Sequence, residues 1–92
     1  MIRSFRHKGL KAFYEKDQAK GINPDWRKRV RAILARLDAC KEPADMDLPG
    51  LRLHSMKGDL RGFWSVDVSG NWRIVFRFEG EEPHDVDLTD TH

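Results

Sequence analysis

Between Phe63 and Thr89 apolar and polar residues alternate with period two, and this limits the fold more than any other feature of the chain. Trp64, Val66 and Val68 alternate with Ser65, Asp67 and Ser69. Trp72, Ile74, Phe76 and Phe78 alternate with Arg73, Val75 and Arg77, and Val86 and Leu88 with Asp85, Asp87 and Thr89. Such a pattern specifies strands that bury one face against a core and leave the other unpacked by it. The cover must come from upstream. Leu10, Phe13 and Tyr14 recur at helical spacing within residues 8–17, and Trp26, Val30, Ile33, Leu34 and Leu37 make a longer apolar stripe. Asn23-Pro24-Asp25 is a helix start, with a capping asparagine, a proline suited to the first turn and an aspartate at the positive helix end. Residues 1–6 and Leu51–His54 read as short strands, and the proline-rich residues 41–50 as a connector.

The expected fold is α+β, a mainly antiparallel twisted sheet with two N-terminal helices packed on one face. Its register can be tested at Ser69-Gly70-Asn71. A two-residue Gly-Asn loop sets Val68 opposite Arg73 and throws the two apolar sets onto opposite faces. A three-residue loop pairs Val68 with Trp72, Val66 with Ile74 and Trp64 with Phe76, and burial selects it. Through the 79–83 loop the same rule pairs Phe76 with Val86 and Ile74 with Leu88. The helices then cover Trp64, Val66, Val68, Trp72, Ile74, Phe76, Val86 and Leu88. The second face displays His54, Asp67, Arg73, Arg77 and Asp85, with Asp67 opposite Arg73, Asp85 opposite Arg77, and Thr89 opposite Arg73.

Ninety-two residues support one domain over residues 1–92. Apolar residues make up 39% and charged residues 35%, with no apolar run long enough for a membrane span. The first six residues lack the apolar core of a secretory signal. Cys40 is the single cysteine, which excludes an internal disulfide and a multi-cysteine zinc site. A cytoplasmic protein is expected. The net charge of +2 conceals a split: residues 1–40 carry +7 and residues 41–92 carry −5. A basic first half suits contact with phosphate, and equally a solvated helix surface balanced by the acidic half.

Glycine-rich nucleotide motifs, His-Glu-x-x-His and Gly-x-Ser-x-Gly are absent. The four histidines lie on scattered elements, so neither a metal nor another cofactor is expected. His7 and His84 read as structural or plain surface residues. His54 ends a strand on the second face, and His92 follows three residues after Thr89, which faces Arg73. His54, Lys57, Arg73, Asp90 and His92 together suit phosphodiester cleavage of RNA. That reaction needs a base for the ribose 2′-OH, cations for the charge building on phosphorus, and an acid for the departing 5′-oxygen. Histidine titrates in the right range, arginine and lysine hold phosphate oxygens, and a carboxylate orients a histidine. The alternative is a charged sheet face held by Asp67–Arg73 and Asp85–Arg77 pairs.

The stretch from Leu53-His54-Ser55-Met56-Lys57-Gly58-Asp59-Leu60-Arg61-Gly62-Phe63-Trp64 to Val66, followed by Gly70-Asn71-Trp72-Arg73-Ile74-Val75-Phe76-Arg77-Phe78, resembles the HigB toxins. These belong to the RelE-like group of type II toxin–antitoxin systems. Ile2 to Leu10 and Arg31 to Ala39 resemble the same family, so the likeness spans essentially the whole chain. It implies an mRNA endoribonuclease, metal-independent, that acts in the decoding site of the ribosomal small subunit by 2′-OH attack. It implies a HigA-like helix-turn-helix antitoxin, with operator DNA bound only through that partner.

By this resemblance His92 and Asp90 form the acid/base pair, Lys57 and Arg73 hold phosphate, and His54 orients or shares proton transfer. Arg27, Lys28, Arg31 and Arg36, with Lys8 and Lys11, would contact ribosomal RNA, blind to its sequence, the alternatives being a solvated surface or a contact with the antitoxin. One departure stands out. The family commonly ends Asp-Tyr-His, and this chain ends Asp90-Thr91-His92. Threonine cannot stack on a base, a contact worth roughly 1–3 kcal/mol. Phe63, the one aromatic expected on the open face, is the candidate substitute. A weakened or inactive domain that only binds antitoxin or ribosome, and a free-standing ribonuclease, are the competing readings.

Overall fold

The computed structural model describes residues 1–91. Two helices, α1 (Lys8–Lys16) and α2 (Arg27–Ala39), precede four strands: β1 (His54–Ser55), β2 (Trp64–Ser69), β3 (Trp72–Glu79) and β4 (Glu82–Asp90). The strands form an antiparallel sheet in the order β1-β2-β3-β4. The architecture is the α+β arrangement expected from the periodicities.

Local chemistry sets the helix ends. The His7 ring accepts a hydrogen bond from the Leu10 amide at 3.0 Å and caps α1, which gives this histidine a structural role. Asp17 ends α1 in the left-handed region at φ 54, a conformation that aspartate tolerates better than most residues. Asn23 caps a 3-10 turn over Pro24–Trp26 by accepting from the Asp25 amide, and α2 follows directly. The start signal therefore opens a tighter turn before the α-helix proper.

The core joins Leu10 and Phe13 of α1 and Val30, Ile33, Leu34 and Leu37 of α2 to Val66, Ile74, Phe76, Val86 and Leu88 of the sheet. The connector also reaches inward, because Met46 is fully buried and Leu51 and Leu53 pack on the cluster. Asp38 ties three segments together. Its Oδ1 accepts the Ile2 amide at 2.8 Å and the Tyr14 hydroxyl. Burial and the hydrogen bond to Asp38 push the Tyr14 hydroxyl up to about 12.

Three expectations are corrected by the backbone. Residues 1–6 form a single parallel bridge, Phe5 with Val86, rather than a strand. Backbone hydrogen bonds still bind the segment to β4, from Arg3 to Pro83, Val86 to Ser4 and Arg6 to Val86. The Leu51–His54 strand is reduced to His54–Ser55.

The third correction concerns the turns. Ser69 pairs with Trp72 across a two-residue Gly70-Asn71 loop, while Trp64–Phe76, Val66–Ile74 and Asp67–Arg73 hold the register that burial demands. A register shift between Asp67 and Ser69 reconciles the two, with Val68 as the extra residue. A bulge thus does the work assigned to a longer loop. The second hairpin repeats the device. Glu79 pairs with Glu82, and the shift between Val75 and Arg77 sets Asp85 and Val86 of β4 against Phe76. Arg77 consequently pairs in the backbone with His84 rather than Asp85, while Ile74–Leu88 and Arg73–Thr89 stand as expected. Gly70 and Gly80 open these loops at φ 55 and 62, the positive values that tight hairpin turns need.

Trp72, expected under the helices, is 37% exposed at the start of β3 and packs against Trp26 with ring centroids 5.4 Å apart. Its cross-strand partners Ser69 and Asp90 are both exposed, so it stands at the rim of the sheet.

The carboxylates that clamp the fold give it a defined acid limit. A hydrogen bond from Arg77 lowers Asp85, outweighing burial, with help from the Arg77 and Arg6 charges. Burial would raise Asp38, but the hydrogen bonds from Tyr14 and Ile2 and the N-terminal charge lower it overall. Both groups titrate lower when folded than unfolded, so the unfolded chain binds more protons as the medium turns acid. Their stabilisation is present above about pH 4 and is lost as pH falls through the folded values. Urea midpoints should fall steadily from pH 4 to pH 2. A midpoint unchanged over that range would show that these clamps do not contribute.

Candidate active site

Direct cross-strand partners in an antiparallel sheet share a face. The register therefore arranges the second face in rows. One row runs His54 (β1), Ser65 (β2), Val75 (β3) and Asp87 (β4). The next runs Asp67, Arg73 and Thr89. His54 and Arg73 are thus two strands and one row apart, about 12 Å between α-carbons at ordinary sheet spacings. Lys57 follows β1 and immediately precedes the 3-10 turn Gly58–Leu60, exposed like His54.

The tail is fixed by the β2–β3 turn. Thr91 donates its amide to the Asn71 carbonyl at 2.9 Å and its hydroxyl to the same oxygen at 3.2 Å. Position 91 here anchors the chain rather than offering a ring. Asp90 pairs with Trp72, one residue out of phase with Arg73, so it stands at the exposed strand end and not within the rows. His92 lies outside the described residues.

The face is not open at its centre. Ser65 is fully buried and Val75 is 1% exposed, although Val75 does not belong to the helix-side core. Phe63 corrects the sequence expectation directly. It is 7% exposed, and the Arg6 guanidinium sits over its ring at 4.9 Å. A base could reach that ring only by displacing Arg6, so Phe63 offers no open stacking surface.

Charge on this face is organised around two arginines. Arg73 Nε lies 3.2 Å from Asp67 Oδ1, and Arg52 Nε lies 3.7 Å from Asp67 Oδ2. The Arg73–Asp67 contact is an ion pair without hydrogen-bond alignment, so both buried atoms lack a hydrogen-bond partner among the described residues. Arg77 is more firmly engaged. Its Nε donates to Asp85 at 2.7 Å and its Nη1 to Glu79 at 2.9 Å. The expected Asp85–Arg77 pair forms through side chains despite the bulge. Among the described residues two carboxylates hold Arg77 for structure, whereas Arg73 meets one, through Nε.

The sequence profile described as the RelE-like toxin of type II toxin–antitoxin system HigB matches residues 3–92. The chain belongs to the HigB-like toxins. It is 36% identical to the Endoribonuclease HigB of Proteus vulgaris over 92 residues, 100% of each chain. It is 31% identical over 83 residues to Toxin HigB-1 of Vibrio cholerae serotype O1, covering 85% of this chain and 84% of that one.

On the helical side of this HigB-like toxin, the six basic candidates divide. Arg27 Nε donates to the Ile22 carbonyl at 3.0 Å, and Arg31 pairs with Asp17 at 2.6 Å while lying over the Phe13 ring. Lys28, Arg36, Lys8 and Lys11 are exposed. Lys8 and Lys11 share a shallow groove with Ala12, Glu15 and Lys16.

Three contributors went unremarked in the sequence. Arg29 ties the connector to the sheet by donating to the Asp67 carbonyl at 3.0 Å and the Gly50 carbonyl at 2.7 Å. Arg6 acts through a fold-level contact with Phe63 and carries no local signal. Ser65 was legible in principle, since the alternation that placed Asp67 on the second face places Ser65 there too. No helix among the described residues is long and apolar enough to cross a membrane.

Proposed function

We propose that the chain is an endoribonuclease that cleaves mRNA in the decoding site of the ribosome, without a metal. The sheet register carries this reading, because it sets His54 and Arg73 on one face with the tail pinned alongside at Asn71. The name of the Proteus vulgaris relative, an endoribonuclease similar over its full length, supports it.

In the proposed reaction the ribose 2′-oxygen attacks the adjacent phosphorus. The new P–O2′ bond forms as the P–O5′ bond breaks, leaving a 2′,3′-cyclic phosphate and a free 5′-hydroxyl. His92 and Asp90 supply acid–base chemistry at the tail, and His54 orients or shares one transfer. Arg73 and Lys57 bind the phosphate oxygens as negative charge builds on them, a role in which a fixed donor counts for most. The exposed Lys28, Arg36, Lys8 and Lys11 contact ribosomal RNA. A HigA-like helix-turn-helix antitoxin neutralises the toxin in the cytoplasm and brings operator DNA to the complex.

Thr91 favours one second reading. With the stacking tyrosine replaced by an anchoring residue, the scaffold would bind ribosome or antitoxin and cut nothing. One gel separates these possibilities. The purified toxin should truncate mRNA on ribosomes and leave the same RNA nearly intact when naked. Cutting of both would identify a free-standing nuclease, and cutting of neither a binder.

A further inference from the structure

Ser65 sits in the middle of the candidate site with a fully buried side chain, and its hydroxyl makes no hydrogen bond among the described residues. Buried polar atoms without partners are rare and costly, and a site that engages its partner only with substrate bound is one reason they persist. The neighbours set by the register narrow the choice. Val75, opposite on β3, has no polar side-chain atom. His54, opposite on β1, has two ring nitrogens and is exposed. Phe63 and Asp67, the same-face neighbours along β2, are two residues away, roughly 7 Å along the strand. Direct partners stand closer, with β-carbons about 5 Å apart. His54 is therefore the polar side chain within easiest reach of the orphan hydroxyl.

We infer that Ser65 is a positioning residue for His54: when RNA fills the site, the imidazole folds down onto the sheet and hydrogen-bonds the Ser65 hydroxyl. That contact fixes which ring nitrogen faces the nucleotide, since the bond made by one nitrogen sets the state of the other. Catalytic hydrogen bonds are often absent before substrate binds. This inference rests on the reading of His54 as part of the cleavage machinery. Ser65 exchanges no proton with the RNA.

The test is a double-mutant cycle on cleavage of ribosome-bound mRNA at saturating ribosomes, with thermal midpoints measured in parallel. Ser65→Ala should lower the cleavage rate about tenfold, the worth of one hydrogen bond, with half-saturation unchanged. Its thermal midpoint should hold or rise, because an unpaired buried hydroxyl is removed. Ser65→Cys keeps the volume with a weak hydrogen-bonding group and should behave like alanine. Ser65→Thr keeps the hydroxyl and should retain most activity. In a His54→Ala background, Ser65→Ala should cost less than twofold more.

Wild-type cleavage by Ser65→Ala, or an undiminished loss without His54, overturns the positioning role. Should His54→Ala itself cleave normally, the reading of His54 fails first, a result distinct from either. If Ser65→Ala does not fold, the cysteine and threonine variants carry the comparison, and equal rates in those two overturn the inference.

Discussion

Replacing His92 with glutamine should abolish growth arrest on expression and slow cleavage of ribosome-bound mRNA by about 10²–10⁴-fold, the usual cost of removing one acid–base group. Glutamine keeps polarity and approximate size but cannot carry a proton at neutral pH, so the loss reports chemistry rather than bulk. Thr91 fixes the preceding backbone through two hydrogen bonds to Asn71. The backbone as far as Thr91 is therefore held by contacts that the substitution does not touch. The readouts are colony survival under induction and single-turnover truncation of mRNA on ribosomes. Full toxicity in the glutamine variant would remove His92 from the mechanism and move the acid–base role elsewhere.

Arg73 should give the second large effect, with two separable parts. Arg73→Ala removes a planar donor from the phosphate site and should cost about 10²–10³-fold in cleavage. It also deprives Asp67 of its nearer partner at 3.2 Å, leaving Arg52 at 3.7 Å. A largely buried carboxylate that loses such an ion-pair partner should destabilise the fold by about 1–3 kcal/mol, between the worth of an exposed pair and the cost of breaking a buried one. Adding Asp67→Asn to Arg73→Ala should recover most of the stability and none of the activity. Urea midpoints and the ribosome assay read the two parts independently. If the double variant regains cleavage, Arg73 serves only to hold Asp67, and the phosphate site must be sought elsewhere.

Arg77 shows why such a distinction depends on the tertiary structure. In the alternation Arg73 and Arg77 are equivalent, two residues from Val75 on either side and on one face. In the fold Arg77 is gripped by Asp85 and Glu79, while Arg73 faces Asp67 alone among the described carboxylates that pair with it. Sequence pattern assigns a side chain to a face. Which partner satisfies it depends on bulges and on loops from distant parts of the chain.

Phe63 teaches the same lesson. Its placement outside the helix-side core was legible, but its exposure was not, because Arg6 covers it from a segment fifty-seven positions earlier. Ser65 lay in plain view as one more polar residue in an alternating strand. Only its burial, with Val75 and His54 as neighbours, makes its hydroxyl notable.

By itself the sequence determined the two helices, the antiparallel sheet, the pairing of Val66 with Ile74 and of Ile74 with Leu88, and the family. Those features follow from local periodicity and from the cost of turning apolar side chains to water, which a linear pattern records. Tertiary structure decided the rest. It shortened both hairpin loops and placed the compensating bulges, it set Trp72 at an exposed edge, and it tied Arg27 and Arg31 to their own chain. It also buried one serine hydroxyl beside His54 without a partner among the described residues. These depend on which side chains meet across the fold, and no periodicity encodes a meeting between segments that are remote in sequence.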